Sequence, residues 1–123
     1  MLIEEDLKTY LLNQYKKNQL TEVEANSIIL QLKRLSSSNF YASNKAIMRM
    51  LADGFPLKRE DRSQKDIWIY LVDYSRENNN NYKFVTQLEI VGTERRIPDG
   101  IIYINGLPII VFEFKSAIRE NAT

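Results

Sequence analysis

The chain has no cysteine and no histidine. Without cysteine there is no disulfide, no thiolate zinc site and no cysteine nucleophile. Without histidine there is no Ser-His-Asp triad, no helical zinc-protease motif and no histidine-metal nuclease of the HNH type. Chemistry based on carboxylates, lysine or tyrosine is what remains. Glycine is scarce, four residues in 123, and none builds a phosphate-cradling loop, so the stretch has no Walker motif for ATP. No apolar run approaches membrane-spanning length and no charged-then-apolar leader opens the chain, which makes no membrane contact and a cytoplasmic location the expectation. A formal net charge of +1 means that any nucleic-acid face must come from local clustering.

What is present suits one α+β domain over residues 1–123. The composition is 44% hydrophobic and 27% charged, enough to bury a core. Ile3, Leu7, Tyr10, Leu11 and Tyr15 predict an amphipathic helix from about Ile3 to Lys17, with Glu4, Glu5 and Asp6 early and Lys16 and Lys17 late, as the helix dipole favours. Thr21-Glu22-Val23-Glu24 is a capping box opening a second helix to about Leu35. A third helix runs from a Ser43 cap to Ala52, closed by Gly54. Gly54-Phe55-Pro56 reads as a turn and Lys58–Arg62 as a solvated mixed-charge loop. Asp66–Asp73 reads as a strand, with Trp68 expected in the core, as is Tyr103. Ser75–Asn81 reads as a loop and Phe84–Val91 as another strand. Helices first and antiparallel strands after them define the class.

The last third carries the chemistry. Ile101–Ile104 and Ile109–Phe112 are apolar, β-branched runs flanking Asn105-Gly106, a strong hairpin signal. Strands so apolar are expected to be buried on both sides. Charges stand only at the open end: Asp99 before the first strand, Glu113 and Lys115 at the end of the second. Glu113 and Lys115 share a face by the period of two. Ionised groups beside a core are costly unless paired or bound to metal. Two carboxylates can hold Mg²⁺, and an adjacent ammonium can position water or stabilise negative charge. That combination suits metal-assisted phosphodiester hydrolysis.

The register imposes a condition. A regular hairpin with the two-residue loop Asn105-Gly106 places Asp99 across from Phe112, which sends Asp99 and Glu113 to opposite faces. One extra residue reverses this. A three-residue loop with Gly106 left-handed, or else a β-bulge lower in the hairpin, is therefore expected. Pro108, which cannot donate to the ladder, supports an irregularity near the turn.

Pro98-Asp99, then Glu113-Phe114-Lys115, resembles the PD-(D/E)xK nuclease pattern. The longer string is more specific. Arg95-Arg96-Ile97-Pro98-Asp99, Asn105-Gly106-Leu107-Pro108 and Ile110–Lys115 are similar to the amino-terminal nuclease domain of the R (restriction, motor) subunit of type I restriction enzymes. Upstream, Leu71-Val72-Asp73-Tyr74 with Glu77-Asn78-Asn79, and Asn44-Lys45 leading to Leu51-Ala52-Asp53-Gly54, extend the likeness.

The resemblance implies a restriction-endonuclease-like core, C-terminally truncated here, and catalytic residues Asp99, Glu113 and Lys115. It implies Mg²⁺ held by Asp99, Glu113 and the Phe114 carbonyl, and double-stranded DNA as substrate. Arg95 and Arg96 either contact its backbone or solvate a strand edge. Methylase and specificity subunits are the implied partners. ATP would belong to absent motor domains, and a Gln-x-x-x-Tyr helix would follow the chain's end. A fragment of this kind is expected to cleave weakly or not at all alone. The alternatives are a non-catalytic α+β module that docks on partners or DNA, and another nuclease of the same superfold acting in repair or junction resolution.

Overall fold

The computed structural model describes residues 2–36, 44–86 and 99–112. Helix α1 spans Glu4–Gln14, with Glu4, Glu5 and Asp6 in its first turn. It stops short of the expected Lys17: a tighter 3-10 turn, Lys16–Asn18, follows, and Gln19 takes a left-handed φ of 57°. The reason is tertiary. The Tyr15 hydroxyl accepts from the Tyr70 N–H at 2.6 Å and donates to the Tyr70 carbonyl at 3.2 Å, which fastens the chain where the helix ends.

Helix α2, Glu22–Leu35, opens with the expected capping box. The Thr21 hydroxyl accepts from the Glu24 N–H at 3.1 Å and Glu24 Oε1 accepts from the Thr21 N–H at 3.0 Å. Glu24 does more than cap. Its Oε2 accepts from Arg59 Nε and from the Glu60 N–H, both at 2.8 Å, while Arg59 Nη2 also donates to the Asn18 carbonyl at 2.9 Å. Arg59 is 6% exposed and Glu24 3%. The expectation of a solvated loop over Lys58–Arg62 therefore fails at Arg59, which is drawn in by a buried carboxylate that no other cation reaches among the described residues.

Helix α3 is Lys45–Asp53. Its cap is Asn44, not Ser43, which lies outside the described residues. Asn44 Oδ1 accepts from the Ala46 and Ile47 N–H groups at 3.1 Å, and its Nδ2 donates to the Leu35 carbonyl at 2.6 Å. A serine hydroxyl could cap α3 but has no second arm to tie it to α2. Gly54 closes α3 with φ 72°.

The expected turn at Gly54–Pro56 is instead the entry to strand β1, Phe55–Leu57, paired antiparallel with β2, Ile67–Ile69. β2 is shorter than the expected 66–73 strand. Trp68 is not core: it is 51% exposed, its indole N–H donates to the Asp53 carbonyl at 2.9 Å, and its ring lies over Gly54, where a Cβ would stand 2.4 Å from Nε1. The indole covers the end of α3 from outside.

A second, three-stranded antiparallel sheet has the order β3-β4-β5. The strands are β3, Tyr82–Thr86; β4, Gly100–Ile104; and β5, Leu107–Phe112. The expected 84–91 strand thus begins at Tyr82, and its later part lies outside the described residues. Helices followed by antiparallel sheets make this an α+β chain.

The principal core joins Leu7 and Leu11 of α1, Ile28 and Leu32 of α2, Ile47 of α3, then Ile69, Leu71 and Leu107. Ile104 and Ile109 pack on it. The turn end of the β4–β5 hairpin is therefore in the core, whereas Ile101 and Tyr103, also buried, lie outside that cluster. Among the described residues no helix is long and apolar enough to cross a membrane.

The buried Glu24–Arg59 pair makes stability acid-sensitive. Burial alone would raise the Glu24 carboxyl; the Arg59 guanidinium and the Thr21 and Glu60 N–H groups outweigh it and hold the group down at about 2. A depressed carboxyl stabilises the fold above its unfolded value of 4.5 and loses that contribution as pH falls towards 2. Urea unfolding across this window is expected to show about 3 kcal/mol lost from Glu24 in the parent chain. Glu24→Gln is expected to be less stable at neutral pH and to show a flatter acid slope. An unchanged slope would place the acid sensitivity elsewhere.

Candidate active site

The hairpin that carries Asp99 has the two-residue loop its sequence announces. Asn105 has φ 52° and Gly106 φ 81°, the positive values that a type I′ turn needs at both central positions. Ile104 pairs with Leu107 and Tyr103 with Pro108. The register then shifts: Ile102 pairs with Ile110, so Ile109 is the extra residue of a β-bulge. The bulge expected from the register condition is present, and it lies directly beyond Pro108. As a result Phe112 stands across from Gly100 rather than from Asp99.

At the open end Asp99 is half-buried, the chain bends, and its N–H donates to the Phe112 carbonyl at 2.9 Å. Gly100 is tightly covered: a Cβ there would lie 2.6 Å from the Phe84 ring. Phe84 and Phe112 meet edge to face with ring centres 6.0 Å apart. This side of the sheet is not buried as expected. Tyr82, Phe84 and Ile110 are 55%, 54% and 45% exposed; only the opposite face, with Ile101 and Tyr103, is closed. Tyr103 is core, as expected.

Glu113, Phe114, Lys115, Arg95 and Arg96 lie outside the described residues. Of the proposed metal ligands, then, the described structure places Asp99 alone. Among the described residues no group of three or more acids gathers to hold a metal.

The turn end of the same hairpin is held by a polar network. Asn105 is fully buried. Its Oδ1 accepts from the Asn81 N–H at 2.7 Å, and its Nδ2 donates to the Leu71 carbonyl at 2.9 Å and to Asn80 Oδ1 at 3.0 Å. Its own N–H donates to the Asn81 carbonyl at 2.7 Å. Asn80 in turn bridges to the Asp73 backbone, accepting from its N–H and donating to its carbonyl. The Asp73 carboxylate accepts from Ser75 N–H and Oγ, the Arg76 N–H, Asn79 Nδ2 and Gln14 Nε2 of α1, all between 2.9 and 3.0 Å. Asn79 first, then Gln14 and the Arg76 N–H, hold the carboxyl well below the usual range against the effect of burial.

Between α1 and this network lies a polar cleft of about 500 Å³, bordered by Asp6, Tyr10, Asn13, Asn81 and Asn105 among others. Asp6, on its border, pairs with Lys83 of β3 at 2.7 Å. Burial pushes the Tyr10 hydroxyl up, and Tyr15 and Asp73 add to the shift.

Residues 2–122 match the family model for "Type I restriction enzyme R protein N terminus". The chain belongs to this family. The R-protein N-terminal family match is joined by curated relatives. The "Type I restriction enzyme HindI endonuclease subunit" of Haemophilus influenzae is 34% identical over 107 residues, 85% of this chain and 10% of that protein. The "Putative type I restriction enzyme MjaIXP endonuclease subunit" of Methanocaldococcus jannaschii is 32% identical over 110 residues, again 85% and 10%. The chain spans about a tenth of the length of these relatives and corresponds to the N-terminal region of such a subunit. No solved structure matches it.

Within this R-protein domain the polar network was not foreseen as a structural unit. The strings that carry it, Leu71-Val72-Asp73-Tyr74 with Asn78-Asn79 and Asn105-Gly106-Leu107-Pro108, were visible as marks of the family. Their spacing along the chain, Asp73 to Asn105, gave no sign that they meet.

Gly106 has its own constraint. Its carbonyl accepts from the Ile3 N–H at 2.9 Å, and a Cβ on it would lie 2.3 Å from the Ile3 carbonyl oxygen and 2.9 Å from the Leu7 nitrogen, at φ 81°. Gly106→Ala is expected to destabilise the domain by about 3 kcal/mol, from left-handed strain plus backbone overlap. Thermal unfolding checks it; a loss under about 0.5 kcal/mol would mean α1 docks differently.

Proposed function

We propose that this domain is the Mg²⁺-dependent endonuclease of a type I restriction enzyme R subunit and that the β4–β5 hairpin carries its active site. The observation that carries the reading is membership of the R-protein family over residues 2–122, with relatives named as endonuclease subunits. The bulge at Ile109 supports it, because it moves the register in the direction that a face shared by Asp99 and Glu113 requires.

Two carboxylates and a backbone carbonyl are hard oxygen donors and fit Mg²⁺, which favours such ligands and retains waters. Asp99, Glu113 and the Phe114 carbonyl would hold it. When bound, the ion supplies acidification of a water and charge neutralisation on phosphoryl oxygens. Lys115 orients the attacking water and stabilises the negative charge that develops. Arg95 and Arg96 contact the phosphate backbone, which is binding without sequence preference and sensitive to salt. The substrate is double-stranded DNA. In this reading methylase and specificity subunits supply recognition, ATP is used in motor domains beyond this stretch, and cutting follows when translocation stalls.

Metal binding tests the first carboxylate. Titration calorimetry is expected to show weak Mg²⁺ binding by the parent domain and none by Asp99→Ala; equal binding by both would remove Asp99 from the site.

The ammonium is tested in the whole subunit. In a full-length R subunit carrying this domain, Lys115→Ala is expected to lower cleavage by about a hundredfold or more while ATP-driven translocation continues. Cleavage at the parent rate would favour the non-catalytic docking module, and loss of translocation would make Lys115 a structural or coupling residue.

A further inference from the structure

We propose that Asn105 is a positioning residue for cleavage, acting through the register and seating of the hairpin whose far end carries Asp99. The proposal rests on the nuclease reading above and adds to it a residue that touches neither metal nor DNA.

A type I′ turn asks only for a residue that tolerates positive φ, and glycine or aspartate meets that demand as well as asparagine. The environment of Asn105 asks for more. Three partners surround its fully buried side chain: the Asn81 N–H, a donor, and the Leu71 carbonyl and Asn80 Oδ1, both acceptors. An amide offers the one acceptor and two donors that match. Glycine offers neither, and a carboxylate would set oxygen against two oxygens. The choice of asparagine is therefore explained by the seat and not by the turn.

The seat matters because of where it lies. Leu107, Ile104 and Ile109 tie the turn end to the principal core, whereas Ile101 and Tyr103, nearer Asp99, lie outside that cluster. The open end is placed by what holds the turn. Asn105 also closes the β3–β4 ladder, exchanging two hydrogen bonds with Asn81 just beyond the Tyr82–Ile104 pair. It therefore grips the registers of β4 against both neighbours at once. A slip of one residue in either ladder would turn Asp99 to the other face. Through Asn80 and Asp73 the same grip reaches Gln14 of α1.

The test uses a full-length R subunit assembled with its partner subunits. Asn105→Gly keeps the turn and loses the seat; Asn105→Asp keeps positive-φ tolerance and loses the donors. DNA cleavage is measured against Mg²⁺ concentration, with DNA-dependent ATP hydrolysis read in parallel and Asp99→Ala as reference. Both Asn105 variants are expected to raise the Mg²⁺ half-saturation or lower the maximal cleavage rate by about tenfold or more, with ATP hydrolysis unchanged and Asn105→Asp the worse of the two. A residue that only stabilises the fold would not shift the Mg²⁺ dependence below the melting temperature. Parent-like cleavage in both variants overturns the proposal, as does a loss of ATP hydrolysis in step with cleavage. If Asp99→Ala itself cleaves normally, the nuclease reading fails instead, and the two failures stay separate.

Discussion

A carboxylate at 8% exposure must have its oxygens filled, and Asp73 fills them from three directions. Three of its donors are backbone N–H or hydroxyl groups of the loop that follows it, one is the Asn79 amide, and one is the Gln14 amide on α1. Local donors require only the conformation of the 73–76 turn itself. The contribution from Gln14, 59 residues earlier in the chain, is what converts a turn into a joint between the helical layer and the second sheet. Asn80 and Asn105 extend that joint into the hairpin. The position of the sheet relative to the helices is set by directional bonds as well as by apolar contact, and directional bonds fix register in a way that apolar contact alone does not.

Glu24 repeats the device at the start of α2. One carboxylate caps α2, pairs with Arg59 and receives the Glu60 N–H. Replacing such a pair whole by apolar groups of matching shape costs little, since desolvation offsets much of the attraction, whereas losing one partner alone costs much. Its effect is specificity: only one placement of the 58–60 segment against α2 leaves neither charge unsatisfied. Asp73 and Glu24 together hold the two connections that flank β2.

The sequence was legible where the signal is local. The Thr21–Glu24 box, the 3.6-residue spacing of Ile28, Ile29 and Leu32, and the Asn105-Gly106 turn each depend on residues a few positions apart, and each is present. The bulge at Ile109 followed from counting residues between a turn and a motif. What was not legible depends on partners far along the chain. Arg59 looked like one charge among five until Glu24 was near it. Trp68 looked like core because tryptophan usually is, and only its hydrogen bond to Asp53 explains a ring lying on the surface. The sheet's outer face, with Phe84 and Ile110, has the composition of an interior and the exposure of a surface, a contrast that β-branched periodicity cannot express. The motif itself was legible as a family string, while the positions of Glu113, Phe114, Lys115, Arg95 and Arg96 fall outside the described residues.

Trp68 is the one tryptophan in the chain, and its place on β2 gives the protein a built-in optical reporter with a restricted view. The residue is exposed while its indole N–H stays bonded to the Asp53 carbonyl at the end of α3. Its emission will therefore respond when the small β1–β2 sheet separates from α3. The hairpin bearing Asp99 belongs to the other sheet, and its ring neighbours there are phenylalanines and tyrosines. Intrinsic fluorescence will follow unfolding of the helical half and will be a poor gauge of events at the hairpin, for which a label introduced into this cysteine-free chain is the better choice.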